Sequence, residues 1–426
     1  MNFSFYSNFL NGLSNQEAQV ATLQQQMSTG SMVQNAAQNP AAYESAALAN
    51  DQITQLTNDT TTQSAIQTQL GAANSAYSSV NSLLDNVQSI VEQSLNSSTS
   101  TQNLNSLAGQ VQSASQQLLS LGNTQLPNGS YLFGGSRGNI APFQVNSSGI
   151  VGYYGDAGQS QANIDGNAMA NTLVNGATLT STLSGNGTSF VTASNSNAGT
   201  GQILQEGLTN TAAASAFQAG SNGITVTFSQ NSSGQTTYTA NEVAGQFSTV
   251  NGASVFTPTQ GAPQTQLATG VVSTASGSQT NLSVLGMNFS ITGSPASGDR
   301  FTIAPSRPQT AFSLLQGITT ALTGARSTAA QVAQTNQDLN QYLAGIGQYQ
   351  QSVTVAQAQN GITLQAVSNA QNNTTAQKNT AQATVNAATA VNMPATITAL
   401  NQTMTAIEAS MKAFAEAQSL SLFKYL

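Results

Sequence analysis

The chain is poor in charge and contains neither cysteine nor histidine. Without cysteine it forms no disulfide framework and no zinc–thiolate site. Without histidine it lacks the commonest general base and a common metal ligand. It carries 7 lysines and arginines against 14 aspartates and glutamates, a net charge of −7. This balance argues against nucleic-acid binding, which needs clustered cations.

The acidic side chains are scattered, and their arrangement does not predict an active site. Nucleophilic triads need a base that the missing histidine cannot supply, and no DxDxDG spacing predicts a calcium loop. Asp156 and Asp299 stand in turn-like sequence, where aspartate commonly shapes the backbone. The pair Gly134-Gly135 lacks the lysine and helix that follow a phosphate loop, and indicates a close backbone turn. We therefore expect no enzyme activity, no cofactor and no metal.

No cleavable signal or membrane helix is visible in the sequence. The amino terminus reads MNFSFYSNFL, without the basic region and long apolar core of a signal peptide. No apolar run approaches the roughly 18 residues of a membrane helix. Hydrophobic residues make up 39% of the chain and recur periodically, which indicates a folded protein. Because few groups can titrate, we expect its stability to change little between mildly acidic and neutral pH, or with salt.

Both end regions carry apolar side chains at alternating steps of three and four residues. This spacing places them on one stripe of a helix and predicts packing against other long helices. The longest stretch, 311–367, is expected to bend near Gly324, and Gly345, Gly347 and Gly361 argue against an unbroken rod. The side chains predicted to form the bundle core are Ile66, Leu70, Tyr77, Leu84, Val91, Val111, Leu118, Leu315, Leu322, Leu339, Leu343 and Ile346.

Local signals predict where the first helices begin and end. Gly30 is expected to follow the end of the first helix. Pro40, preceded by the capping residue Asn39, is expected to begin a long second helix. The segment 96–101, NSSTST, is expected to be a turn before a third helix that ends at Gly122.

Two terminal stripes lie outside the main bundle, and a polar link over about 369–383 is expected before the second. The predicted polymerisation seams are Phe9, Leu13, Val20, Leu23 and Met27 at one end, and Met393, Ile397, Leu400, Met404, Ile407, Met411 and Phe414 at the other. They form either a hairpin within one molecule or a pair that is fully buried only between subunits of a polymer. Amides within the stripes, such as Gln16, Asn336 and Gln350, either set helix register or bond to a neighbouring subunit.

Between about 140 and 305 the apolar period falls to two, as at Ile224, Val226 and Phe228, and turn pairs punctuate the sequence. The predicted fold class is α + β: an elongated antiparallel helical bundle or coiled coil built from both chain ends, with an inserted β-rich domain. The predicted domains are a terminal polymerisation region (1–38 with 372–426), a rod bundle (39–139 with 306–371) and an outer β-rich domain of one or two subdomains (140–305).

Both ends of the chain, and both edges of the insert, carry recognisable motifs. An STG turn and a proline-led helix are found in QQMSTGSMVQNAAQNPAAYESAALANDQI. The edges of the insert read YLFGGSRGNIAPF and GDRFTIAP; AFSLLQGITTAL follows, and the chain ends in ASMKAFAEAQSLSLFKYL. These motifs resemble those of the hook-associated protein 3 branch of the flagellin superfamily. The departures are in charge, since Ser31 and Met32 stand where the family has basic residues, and Gln38 and Asn39 where it has acidic ones. Ionic contacts of the family are therefore replaced here by amide hydrogen bonds or are missing.

The resemblance implies a structural part of the bacterial flagellum at the hook–filament junction. It implies export by the flagellar type III apparatus without signal cleavage, aided by an export chaperone, and an extracellular location. The expected partners are further copies of the chain in a ring-like layer, the hook-side junction protein and filament flagellin. Two other functions stay open: filament flagellin itself, which copy number would distinguish, and a secreted β-rich adhesin or carbohydrate-active protein with helical stalks.

Overall fold

Helices from both chain ends flank a β-rich middle region, which confirms the predicted α + β class. The computed structural model describes residues 3–96, 100–156, 158, 161–166, 168–171, 174–250, 253–273, 275 and 277–423. The helices are α1 (Phe3–Thr29), α2 (Pro40–Leu95), α3 (Thr101–Gly122), α4 (Gly176–Thr180), α5 (Thr211–Ala219), α6 (Ala311–Thr323), α7 (Ala329–Thr389) and α8 (Met393–Phe423).

The strands follow one another between α3 and α6, with α4 and α5 among them. They are β1 (Phe143–Val145), β2 (Val151–Tyr153), β3 (Gln161–Asp165), β4 (Ala168–Asn171), β5 (Ser181–Leu183), β6 (Ser189–Ala193), β7 (Gln202–Leu208), β8 (Gly223–Gln230), β9 (Thr236–Val243), β10 (Gly245–Val250), β11 (Ala253–Pro258), β12 (Gln264–Val271), β13 (Thr280–Val284), β14 (Met287–Thr292), β15 (Arg300–Pro305) and β16 (Pro308–Thr310).

The helix ends follow the local signals of the sequence. Helix α2 begins at Pro40, and the side-chain oxygen of Asn39 accepts a hydrogen bond from the backbone N–H of Ala42 at 3.1 Å. Gly30 follows α1 with φ +67°, a left-handed conformation that glycine adopts without steric cost. Helix α3 begins at Thr101; the turn expected over 96–101 includes residues 97–99, which lie outside the described residues.

Helix α7 corrects two expectations. The chain is interrupted near Gly324, as predicted, but α7 then continues to Thr389 without a break, through Gly345, Gly347, Gly361 and the expected polar link. The buried positions continue in small side chains that apolar counting misses: Ala370, Thr374 and Ala381, exposed by 4%, 1% and 3%. A glycine inside a helix costs only about 1 kcal/mol, which the packing of a helix this long outweighs.

The chain divides into two compact units. One comprises Met1–Ser64, Asn163–Ala168 and Ser368–Leu426, and the other comprises Ala65–Ala162 and Met169–Val367. Both boundaries on the helical side fall inside continuous helices, α2 and α7. The three-part division inferred from the sequence is a different partition of the same chain, and it stays a prediction.

Two antiparallel sheets form the centre of the second unit. Their strand orders are β12-β9-β8-β15-β6 and β13-β14-β7. Val226 of β8 lies opposite Ala240 of β9 and Phe301 of β15, and these side chains share one apolar core with Phe289 of β14. Helix α5, which period-two counting did not predict, adds Phe217 to this core.

The tetrapeptide Asn-Ser-Ser-Gly forms two hairpin turns of the same geometry. In one, Asn146 precedes Gly149 (φ +77°), and in the other Asn231 precedes Gly234 (φ +76°). In both, the asparagine side-chain oxygen accepts backbone N–H groups two and four residues ahead, at 2.9–3.0 Å. A turn bonded within five residues is encoded locally, wherever it stands in the fold.

Candidate assembly interface

The terminal helices α1 and α8 pack against each other. The ring of Phe9 stacks on that of Phe414, with centroids 4.1 Å apart and planes at 11°, and the ring of Tyr6 lies 5.9 Å from the same phenylalanine. Each seam therefore has a partner within the chain. Stacked aromatic rings add about 0.5–1.5 kcal/mol to the burial of their area.

This pairing covers only part of the seams. The α1 residues Phe9, Leu13, Val20, Leu23 and Met27 are all half-buried, as are Leu400, Ile407 and Phe414 of α8. The remaining members of the α8 seam are exposed by between 42% and 48%; they are Met393, Ile397, Met404 and Met411, and they form the outer α8 stripe. One column of the seam is thus half-buried, and the other column is exposed.

The outer α8 stripe is suited to pack against another surface. Three of its four side chains are methionines, whose flexible thioether chains adapt to irregular apolar surfaces. On α1, Tyr6 and Leu10 are exposed by 44% and 43%. Apolar side chains exposed in a row along a helix are typical of an interaction site.

All the predicted bundle-core side chains belong to the second unit, and all but one of them are buried. Those exposed by 7% or less are Ile66, Leu70, Tyr77, Leu84, Val91, Val111, Leu118, Leu315, Leu322, Leu339 and Ile346. Leu343 is only half-buried. The fully buried positions in this part of α7 include Leu339, Ile346 and Tyr349, each with 0% exposure. Leu343, four residues after Leu339, is at the margin of this buried face.

Polar side chains within the seams have different environments. The amide nitrogen of Gln350 donates to the carboxylate of Asp85 at 2.9 Å, and that of Asn360 donates to the carbonyl of Leu70 at 2.8 Å. Both bonds tie α7 to α2. The side-chain oxygens of Gln16 and Asn336 are buried and accept no hydrogen bond from any described residue. Register setting therefore suits Gln350, and for the other two the alternatives drawn from the sequence stay open.

The two aspartates in turn-like sequence accept hydrogen bonds from backbone N–H groups. Asp156 accepts hydrogen bonds from the backbone N–H groups of Ser136 and Gly158 at 2.7 and 3.0 Å. Hydrogen bonds from the hydroxyl and N–H of Ser136 hold the pKa of Asp156 below its usual value. Asp299 accepts from the N–H groups of Ala198 and Ala296, both at 2.8 Å. These carboxylates shape loops at the edges of the insert.

A half-buried carboxyl on α7, that of Asp338, differs from them. Burial raises the pKa of Asp338 to about 6. One helical turn further on, burial and the charge of Asp338 raise the pKa of Tyr342 to about 12. The phenol of Tyr342 packs against Gly317 of α6, where any side chain would collide with it. Asp338 is therefore charged at neutral pH at a cost to the folded state.

In the part of the chain that the structure describes, no helix is long and apolar enough to cross a membrane. Over the same residues, no three His, Cys, Asp or Glu side chains lie close enough together to hold a metal ion.

Sequence reasoning finds the apolar stripe of α7 and misses a second, polar one. Gln334, Gln337 and Gln341 follow one another at steps of three and four residues, and their amides bond to backbone in the β-rich region. The signal that could have revealed them is the helical spacing of glutamines in a stretch counted only for apolar residues.

Comparisons with known proteins agree with this architecture. Residues 2–137 match the family model of the bacterial flagellin N-terminal helical region. Over 147 residues the chain is 30% identical to flagellar hook-associated protein 3 of Escherichia coli (strain K12) and 27% identical to that of Salmonella typhimurium. Over this region the chain is similar to flagellar hook-associated protein 3. The matched region is 34% of this chain and 46% of each of the two relatives, so the chain spans about half the length of the curated relatives it matches.

Solved structures of hook-associated protein 3 share the fold over most of the chain. The structure of flagellar hook-associated protein-3 from Legionella pneumophila gives a TM-score of 0.66 at 24% identity, and covers 79% of this chain and 97% of that one. The flagellar junction protein FlgL from the same organism gives 0.61 at 25% identity, with 76% and 98% covered. FlgL from Xanthomonas campestris gives 0.63 at 23% identity, with 79% and 97% covered. The resemblance predicted from the sequence is confirmed.

Proposed function

We propose that the chain is a structural component of the bacterial flagellum that joins the hook-side junction protein to filament flagellin. The observation that carries this proposal is the paired terminal helices, which leave the outer α8 stripe exposed. The likeness to hook-associated protein 3 and to the flagellar junction protein FlgL supports it. The chain acts by packing, without catalysis and without a cofactor.

The outer α8 stripe supplies the assembly contact. Full burial of an apolar side chain of this size stabilises by about 1.5–3 kcal/mol, and nearly half of each remains exposed in the single chain. Burying the rest of the four side chains therefore contributes roughly 3–5 kcal/mol for each subunit. The half-buried α1 seam adds to this when neighbouring helices enclose it.

The partners follow from the same role. Copies of the chain form a ring-like layer, with the hook-side junction protein on one side and flagellin on the other. Export proceeds through the flagellar type III apparatus without signal cleavage, aided by an export chaperone, and the assembled protein is extracellular. The β-rich region faces outward from the tube of helices.

Gene deletion and complementation test the role. Deletion should leave hooks without filaments while flagellin is secreted unpolymerised. A plasmid carrying Met404→Asp with Met411→Asp should fail to restore filaments, because each charge would enter a closed apolar contact. The matched control is Met169→Asp, an exposed methionine of β4 outside the stripe, which should restore them. Normal filaments in the double variant, secreted at the normal level, would show that the stripe is not the assembly contact.

A further inference from the structure

Helix α7 carries a row of glutamine amides that contact the edge strands of both sheets. The row is Gln334, Gln337 and Gln341, called here the amide seam. Strand β6 is an edge of the five-stranded sheet and β7 an edge of the three-stranded sheet. An edge strand presents backbone N–H and C=O groups that need partners once they are buried.

The central amide of the seam reproduces the pairing of a β-strand. The backbone N–H of Ile203 donates to the side-chain oxygen of Gln337 at 2.8 Å, and the side-chain nitrogen of Gln337 donates to the carbonyl of Ile203 at 2.8 Å. Both residues are 0% exposed. A single side chain thus satisfies the donor and the acceptor of one residue of β7, as a neighbouring strand would.

The flanking amides bond to the edge strand of the other sheet and to the loop that follows it. The backbone N–H of Val191, in β6, donates to the side-chain oxygen of Gln341 at 3.1 Å. The side-chain nitrogen of Gln334 donates to the carbonyls of Ser194 at 3.1 Å and Asn197 at 3.3 Å. Two helical turns of α7 therefore hold the edges of two different sheets.

Two short strands connect the sheets to the helices. The chain enters the sheets through β5 and returns through β16, and these two strands pair with each other over three residues. The hydroxyl of Ser184 accepts the N–H of Arg307 at 3.0 Å beside this pair. A two-strand neck of this length bends as a hinge unless a second contact fixes it.

We propose that the amide seam is a positioning surface for strand edges, which fixes the orientation of both sheets on α7 and prevents rotation about the β5–β16 neck. Neutral amides suit this task, because their hydrogen bonds neither titrate nor weaken with salt. The competing explanation is that apolar packing sets the orientation and the amides only satisfy buried backbone groups.

Distance measurement between two spin labels separates these explanations. The chain contains no cysteine, so Ser232→Cys at a hairpin tip and Gln359→Cys on α7, both at exposed positions, can be labelled without background. The test variant adds Gln337→Leu and Gln341→Leu, which keep most of the side-chain volume and remove the amides. The matched control adds Gln351→Leu, an exposed glutamine of the same helix.

The unaltered labelled chain and the control should give one narrow distance peak. The test variant should give a broadened or divided peak, while the amides of β8, at the centre of the larger sheet, keep their protection from hydrogen exchange. A peak of unchanged position and width, together with faster exchange at the amide of Ile203, would show that apolar packing sets the orientation and would overturn the proposal.

If the leucine variant loses the hydrogen-exchange protection of the β8 amides, a milder variant tests the proposal instead. Gln334→Ala with Gln341→Ala removes only the half-buried amides and leaves Gln337 in place. Its distance peak should broaden, because the Ser232 label is attached to the five-stranded sheet, whose edge strand Gln341 contacts. An unchanged peak in this folded variant would likewise refute the seam's positioning role.

Discussion

Replacing Asp338 by asparagine should stabilise the protein at neutral pH. Burial raises the pKa of this carboxyl from 3.8 to about 6, so the folded state holds its proton more tightly than the unfolded chain does. The difference of about 2 pH units corresponds to about 3 kcal/mol, since one unit is worth about 1.4 kcal/mol. This is an upper value, because the side chain keeps partial contact with solvent.

The sign of the effect follows from the raised pKa. Below pH 3.8 the carboxyl is neutral in both states and costs the fold nothing. As pH rises from about 4 to 6, the unfolded chain releases its proton first, and folding stability falls. Asp338→Asn should therefore raise the free energy of unfolding by up to about 3 kcal/mol at pH 7, and by less than about 1 kcal/mol at pH 4.

Urea unfolding at pH 4 and pH 7, with and without Asp338→Asn, measures this difference. Asp51→Asn is the matched control, because Asp51 is exposed on α2, and it should change stability little at either pH. An equal effect of Asp338→Asn at both pH values, or a loss of stability at pH 7, would refute the reasoning. The composition predicts little dependence on pH, and Asp338 is the exception, with a sign opposite to ordinary acid denaturation.

Three further predictions concern the core, a turn and the termini. Leu84→Asp should lower the free energy of unfolding by several kcal/mol, because an unpaired charge enters a fully buried seam, whereas Leu48→Asp, at a position 64% exposed, should leave the melting temperature nearly unchanged. Gly135→Ala should cost more than about 1–2 kcal/mol by chemical denaturation, since φ is +63° there and an added Cβ would collide with the carbonyl oxygen of Asp156; an unchanged free energy of unfolding would refute this. In the free monomer, hydrogen exchange over 1–36 and 373–426 should be faster than in the bundle, and equal protection would contradict assembly-dependent ordering.

The sequence alone determined the features that are formed by residues close together in the chain. Asn39 and Pro40 start α2, Gly30 follows the end of α1, and the two Asn-Ser-Ser-Gly turns fold alike in different hairpins. Nearly every core side chain that the steps of three and four predicted is buried, because a helix with one apolar stripe has only one face to bury. Leu343 was predicted to be in the core but is only half-buried, since the spacing shows which face of the helix is apolar but not which residues lie at its middle.

Only the tertiary structure decided which partner each stripe meets. Within the same seam of α8, Ile407 is half-buried and Met404 is exposed by 46%, a difference that the apolar spacing does not predict. Helix α7 runs beyond Val367 because alanine and threonine are enclosed there, although neither is apolar enough to mark a stripe in the sequence. Gln337 meets Ile203 across 134 residues of chain. Contacts between distant segments depend on how the elements pack, and no local pattern specifies them.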